Sequence, residues 1–168
     1  MVFYAYRMTF SDPRTVTVKK EYLEFTRLIE RLHRRFLDML RAELTRIGIR
    51  DINSVQALLL TNIGGEEIAI RDLVERGYYQ GSNVSYNIKK LGEMGYLEQQ
   101  RSAHDRRSVS IRLTEKALGV VEDIRSLEQK IAGQLDEQAF GRSEIETVCQ
   151  ALRHVERTWT DYVHYGRT

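Results

Sequence analysis

The sequence predicts a mainly α-helical chain with a small β-hairpin in its second half. Three stretches carry apolar residues at steps of three and four, which is typical of amphipathic helices, and they cover residues 19–47, 114–135 and 143–165. The only proline among the 168 residues is Pro13, so the rest of the chain lacks this helix breaker. Hydrophobic residues make up 42% of the chain, which is enough to build a core.

The composition excludes several classes of protein. The single cysteine, Cys149, cannot form an internal disulfide or a Cys-based zinc site, and its apolar surroundings in the sequence predict a packed, inert thiol. No apolar run approaches the ~18 residues of a membrane span, and the first residues lack a secretory signal. We therefore expect a cytoplasmic protein. The net charge of +2 indicates no partner, so a nucleic-acid partner has to be argued from where the charges lie.

The two ends of the chain are predicted to form a single helical region. It comprises residues 19–50 and 117–165 and follows an N-terminal arm of residues 1–18. Long amphipathic helices need a surface to pack against, so they either form a bundle within the chain or pair with a second copy. Their apolar surface exceeds what a small central core could cover, which favours a homodimer.

Local signals set the ends of these helices. The first helix is expected to end at Gly48, a residue type common just after a helix C-terminus. Its outer face is basic, since residues 14–50 contain 10 basic and 5 acidic side chains. Ser143, with Glu146 three residues later, predicts a capping box at the start of the last helix.

The central segment, residues 51–116, is predicted to form a separate domain. Asn53 can cap a helix over residues 54–63, with Gln56 in the reciprocal position of a capping box. A short strand is expected near residues 67–69. The side chains of the helix predicted to point inward are Val55, Leu58, Leu59 and Ile63.

The rest of the central segment contains two more helices and a hairpin. A short helix over residues 70–76, a turn and a second helix over residues 81–93 are followed by Gly95, which stops the second helix. Alternating apolar residues on both sides of a polar tip then predict a β-hairpin that begins near Leu97. Helix, turn, helix and hairpin together form a winged helix-turn-helix domain.

The second helix of such a domain fits the DNA major groove, where its early exposed residues reach base edges and phosphates. Residues 76–112 hold 7 basic and 3 acidic side chains, whereas residues 117–138 hold 2 basic and 5 acidic ones. This segregation of charge is typical of a DNA-binding surface. The DNA-contacting residues predicted on the second helix are Ser82, Asn83, Ser85, Tyr86, Lys89 and Lys90.

The hairpin tip strengthens this interpretation. It carries Asp105, Arg106 and Arg107, and an exposed arginine at such a tip can enter the narrow, electronegative minor groove. The neighbouring carboxylate can hold the guanidinium in a fixed orientation. Arg101, on the strand that leads to the tip, completes the predicted DNA-binding set.

The run Asp105-x-Arg107, followed after five intervening residues by Leu113-Thr114, resembles the wing signature of MarR-family transcriptional regulators. Residues 72–97 are similar to the helix-turn-helix of the same family. One departure is the turn glycine, Gly77, which the family usually places one residue later.

The resemblance implies a bacterial homodimer that binds double-stranded DNA at a palindromic operator. It implies base or phosphate contacts by Ser82, Asn83, Ser85 and Tyr86, phosphate contacts by the two lysines, and an Arg107 that Asp105 orients in the minor groove. It also implies a small aromatic or phenolic effector in a crevice beside the dimer helices. The candidate effector-lining residues are Arg34, Phe36, Leu58, Thr61 and Asn62, although core packing explains the apolar ones equally well.

Two other classes of function stay open from the sequence. One is a helical adaptor that uses its winged helix for protein contacts, and the other is a ligand-binding enzyme on a helical scaffold. The sequence contains no Ser/His/Asp grouping, Gly-rich phosphate loop or paired carboxylates, and its four histidines are dispersed. We therefore expect no enzyme activity, no cofactor and no metal site.

Overall fold

The computed structural model describes residues 13–75, 81–101, 109–135 and 141–166. The predicted arm before residue 13, the turn at Gly77 and the wing tip from Asp105 to Arg107 lie outside these residues. The chain falls into two compact units, Met1–Ile124 and Arg125–Thr168.

Helices dominate, and a small antiparallel sheet accompanies them, which confirms the predicted fold class. The elements are α1 (Pro13–Arg46), α2 (Ser54–Ile63), β1 (Ile68–Ala69), α3 (Ile70–Glu75), α4 (Gly81–Glu93), β2 (Leu97–Arg101), β3 (Val109–Leu113), α5 (Glu115–Ala132) and α6 (Arg142–Tyr165).

Helix α1 begins earlier than predicted and ends where predicted. It starts at Pro13, because proline is well tolerated in the first turn of a helix, where its missing N–H has no helical partner. Gly48 follows the helix with a φ of 80°, a left-handed conformation that glycine adopts without strain. The amide of Ile49 then donates to the carbonyl of Leu44 over 2.9 Å, which satisfies the end of the helix.

Helix α2 begins with the predicted capping box. The amide of Gln56 donates to the Asn53 side chain over 2.9 Å, and the Gln56 side chain accepts from the Asn53 amide over 3.0 Å. The prediction that Val55 points inward is wrong, because 38% of the residue is exposed. The buried face is centred on Ala57, Leu60 and Ile63, and Val55 lies at the edge of that face.

The core of the first unit draws on its helices and on its sheet. The fully or almost fully buried side chains include Leu40 and Leu44 of α1, Leu59 and Leu60 of α2, Leu73 of α3, Val84, Ile88 and Leu91 of α4, Ile111 of β3, and Val120, Val121 and Ile124 of α5. Burial of these apolar surfaces is the main stabilising contribution to the unit.

The sheet contains three strands in the order β1-β3-β2, all antiparallel. The β2–β3 hairpin was predicted, and its register pairs Leu97 with Leu113 and Arg101 with Val109. The short strand expected near residues 67–69 is also present, as β1, and Ile68 pairs with Ile111. Strand β3 is therefore central, and Ile111 lies on the face of the sheet that is covered by the core.

A polar cluster of Asp51, Tyr96 and Lys116 joins three distant parts of the first unit. The Lys116 Nζ lies 2.8 Å from Asp51 Oδ2, and the Tyr96 hydroxyl donates to Asp51 Oδ1 over 2.7 Å. The same Nζ lies 3.8 Å from the centroid of the Tyr96 ring. The cluster links the α1–α2 connection, the α4–β2 connection and the first turn of α5.

The second unit contains the end of α5 and all of α6. The capping box predicted from Ser143 is wrong, because α6 begins one residue earlier, at Arg142, and its N-cap Gly141 offers no side chain. Ser143 thus lies inside the first turn. There, the Arg142 side chain pairs with Glu146 instead, with 2.9 Å between Nε and Oε1. Helix α6 has no buried residue.

The buried face of α2 allows a direct test of the core assignment. We expect Leu59→Ala to lower the free energy of unfolding by about 2–5 kcal/mol, since it leaves a cavity at a site that is 1% exposed. Val55→Ala on the same helix is the matched control and should cost roughly 1 kcal/mol or less. Chemical denaturation at one protein concentration measures both. Equal costs for the two variants would contradict the assignment.

Candidate nucleic-acid interface

Helix α4 has one buried face and one exposed face. Val84, Ile88 and Leu91 are buried against the core at helical spacing. The outer face of α4, defined here as Asn83, Ser85, Tyr86 and Lys89, is exposed to solvent. The exposed fraction of Tyr86 is 61%, so its ring and hydroxyl are accessible on this face.

The C-terminal half of α4 carries two cations and one carboxylate. Lys90 Nζ lies 2.8 Å from Glu93 Oε2, and Lys89 Nζ lies 4.0 Å from Glu93 Oε1. The hydrogen bond from Lys90 lowers the pKa of Glu93, and the same bond raises the pKa of Lys90. All three side chains are well exposed, so water and salt screen these pairs strongly. Phosphates could therefore replace the carboxylate at little cost.

The other predicted DNA-binding residues are placed only in part. Ser82 is the second residue of α4, and Arg101 is the last residue of β2, where its backbone pairs with Val109. Asp105, Arg106 and Arg107 lie outside the described residues. The structure thus brings the α4 residues onto one helix next to the base of the wing.

The five predicted effector-lining residues belong to α1 and α2. Arg34 is exposed and pairs with Glu30 over 3.1 Å, whereas Phe36 and Leu58 are half-buried and pack against the core. The Thr61 hydroxyl donates to the carbonyl of Leu58 over 2.8 Å. Asn62 lines a concavity of about 480 Å³ formed by residues 62–69 and Asp72. This concavity is rich in carboxylates, which does not favour an anionic ligand.

Two features were absent from the sequence prediction. Glu93 could have been found there, since its spacing of three and four residues from the lysines places it beside them on a helix. The pairing of Asp51 with Lys116 could not, because 65 residues separate them. Within the described ranges, no group of three or more His, Cys, Asp or Glu side chains could hold a metal ion. None of the described helices is long and apolar enough to cross a membrane.

Helices α3 and α4, followed by the β2–β3 hairpin, form a winged helix-turn-helix, and the protein therefore belongs to the winged helix-turn-helix class. Residues 52–117 match the family model described as a winged helix DNA-binding domain. This range coincides closely with the segment from α2 to the start of α5.

Known relatives narrow the class to a family. The chain is 38% identical over 145 residues to the exopolysaccharide II synthesis transcriptional activator ExpG of Rhizobium meliloti, covering 86% of this chain and 75% of that protein. The crystal structure of the regulator SlyA superposes with a TM-score of 0.70, 19% identity and coverage of 85% and 99%. A MarR variant from E. coli, complexed with operator DNA, gives a TM-score of 0.62, 19% identity and coverage of 86% and 99%.

The chain belongs to the MarR family of winged-helix transcriptional regulators. The predicted family is thereby confirmed. The matched relatives are regulators of transcription, which favours DNA binding over the adaptor and the enzyme that the sequence left open.

Proposed function

We propose that the protein is a homodimer that regulates transcription by binding a palindromic operator through two copies of α4 and two wings. The observation that carries this proposal is the division of α4 into a buried apolar face and an exposed face with amide, hydroxyl, phenol and ammonium groups. These groups match the donors and acceptors of base edges and phosphates. The E. coli MarR variant, of the same fold, was solved on operator DNA, which supports this use of the domain.

The proposed roles differ along the interface. Small polar side chains in the first turns of α4 contact base edges or phosphates, whereas Lys89 and Lys90 contact phosphates. Arg107 enters the minor groove and Asp105 orients it, while Arg101 and Arg106 add charge to the wing. The proposed DNA-contacting set is Ser82, Asn83, Ser85, Tyr86, Lys89, Lys90, Arg101, Asp105, Arg106 and Arg107.

Homodimer formation is supported by the apolar residues of α6. They recur at alternating steps of three and four, the spacing of a helix that packs lengthwise against other helices, and all are at least partly exposed within one chain. In the first unit, 63% of Leu32 on α1 is exposed as well. A second copy would cover such stripes, and its two-fold symmetry would match operator half-sites about 34–36 Å apart. The stripe on α6 consists of Ile145, Val148, Leu152, Val155, Trp159 and Tyr162.

The charges on α4 allow a test of the proposed phosphate contacts. Lys89→Ala should weaken binding to the best genomic fragment and reduce the slope of log affinity against log salt by about one unit, because one phosphate contact is lost. Glu93→Gln should strengthen binding, since it removes a negative charge beside the two lysines. Mobility-shift titrations at several salt concentrations measure both effects.

The control for this experiment is Lys130→Ala, which removes an exposed lysine near the end of α5. It should leave affinity within about twofold of the wild type. Equal losses for Lys89→Ala and Lys130→Ala would mean that the chain binds DNA without using α4. Arg107→Ala should weaken binding about tenfold if the wing enters the minor groove.

The dimer is tested by one substitution on each face of α6. Leu152→Glu places a carboxylate in the apolar stripe, and sedimentation at micromolar concentration should then show a monomer, because an unpaired charge cannot be buried. Gln150→Glu, on the opposite side of the same helix, makes the same change in charge and should leave the dimer intact. A wild-type chain that sediments as a monomer would contradict the proposal.

Modulation by a small aromatic or phenolic effector is the remaining part of the proposal. Its basis is the resemblance to MarR-family regulators, with the exposed guanidinium of Arg34 on α1 as the group that would bind an anionic effector. We expect millimolar 4-hydroxybenzoate to weaken DNA binding by the wild type, and Arg34→Ala to remove this response without changing affinity for DNA. Arg31→Ala is the control. If 4-hydroxybenzoate leaves the mobility shift unchanged, effector binding of this chemistry is wrong.

A further inference from the structure

The Asp51–Tyr96–Lys116 cluster lies outside the proposed DNA-contacting set, yet it joins the elements that carry this set. Tyr96 is 45 residues from Asp51 in the sequence, and Lys116 is 65 residues from it. Contacts over such separations depend on the folded arrangement of the whole unit. Their effect is therefore on how elements are placed relative to one another.

Each residue of the cluster makes more than one contact. Both Asp51 oxygens accept a hydrogen bond, one from the Tyr96 hydroxyl and one from Lys116. The Lys116 ammonium also donates to the carbonyl of Met94 over 3.1 Å and lies over the Tyr96 ring. The ion pair of Lys116 with Asp51 contributes little to the free energy of unfolding, since about half of the Lys116 side chain is exposed and solvent screens the pair.

The position of the cluster is more informative than its energy. Met94, Gly95 and Tyr96 connect the end of α4 to the first strand of the wing. Thr114, which follows the last strand of the wing, is hydrogen-bonded to the same connection. Its hydroxyl donates to the Gly95 carbonyl over 2.8 Å, and its amide donates to the Tyr96 carbonyl over 3.1 Å. The base of the wing is thus fixed at one point, and Lys116 attaches that point to α5.

We propose that Asp51, Tyr96 and Lys116 are positioning residues, which fix the wing relative to α4 and so set the affinity for DNA without contacting it. The inference rests on the proposed function, in which α4 and the wing bind adjacent grooves of one duplex. Two elements gain from binding together only when their spacing matches the DNA in advance, since any freedom between them is lost on binding. The cluster supplies this preorganisation. Because Lys116 lies in the first turn of α5, a displacement of α5 would change the position of the wing through this residue.

The test is a double-mutant cycle with the wing arginine. Lys116→Met keeps an unbranched side chain over the Tyr96 ring but removes the charge and the donors. It should lower the affinity for the best genomic fragment about fivefold in the wild-type background and less than twofold in the Arg107→Ala background, because a wing without its contact gains nothing from being positioned. Lys116→Arg should recover most of the loss, and Lys130→Met on the same helix should cause none.

The outcomes separate the two proposals. If Arg107→Ala weakens binding and Lys116→Met does not, or if Lys116→Met costs the same factor in both backgrounds, the positioning role is overturned and the proposed function stands. If Arg107→Ala leaves affinity unchanged, the wing contact of the proposed function and the positioning role both fail, whereas DNA binding through α4 is decided by Lys89→Ala. Thermal unfolding establishes that each variant is folded. Should Lys116→Met be unfolded, Tyr96→Phe, which removes only the hydroxyl, replaces it in the double-mutant cycle. It should then lower affinity in the wild-type background and have a smaller effect in the Arg107→Ala background, and equal effects in the two backgrounds would overturn the positioning role.

Discussion

The burial of one face of α4 is the constraint on which the remainder of the molecule depends. Val84, Ile88 and Leu91 contribute to the same core as α2, α3, β3 and α5. A helix of 13 residues is marginal by itself in water, so this packing is what keeps α4 folded and in place. Because three buried side chains fix the rotation of the helix about its axis, they also determine which residues face solvent. The chemistry of the outer face is thus a consequence of the core.

Local patterns were sufficient to predict much of the fold. The capping box of Asn53 and Gln56, the glycine after α1 and the β2–β3 hairpin each depend on residues that are near one another in the sequence. Two local predictions were nevertheless wrong. The pattern Ser143-x-x-Glu146 matches a capping box, but Gly141 is the N-cap of α6 and the helix starts before the serine. Val55 has the right residue type for a core, but the position of α1 and the sheet leaves it at the edge.

The parts of the candidate site that lie on one helix, α4, or in one sequence motif, the wing, could be predicted from the sequence. The outer face of α4 follows from helical periodicity once its apolar positions are known. The Asp51–Tyr96–Lys116 cluster does not follow from any pattern, because the spacing of its members reflects how distant segments meet. The net charge of the chain, +2, was equally uninformative about the position of the candidate site. Arginines of α1 pair with carboxylates of the same helix, among them Arg41 with Asp38 and Arg46 with Glu43, so about half of the basic charge of that segment is compensated locally.

The strand order β1-β3-β2 has a consequence for how copies of the chain can associate. It places β3 in the middle and leaves two edges, of which β1 is only two residues long. The other edge, β2, carries the charged residues Glu98 and Arg101, and charges along an edge disfavour the addition of a further strand. A sheet protected in this way resists open-ended growth from chain to chain. The proposed homodimer therefore relies on the helices, where a closed complex of defined size can form.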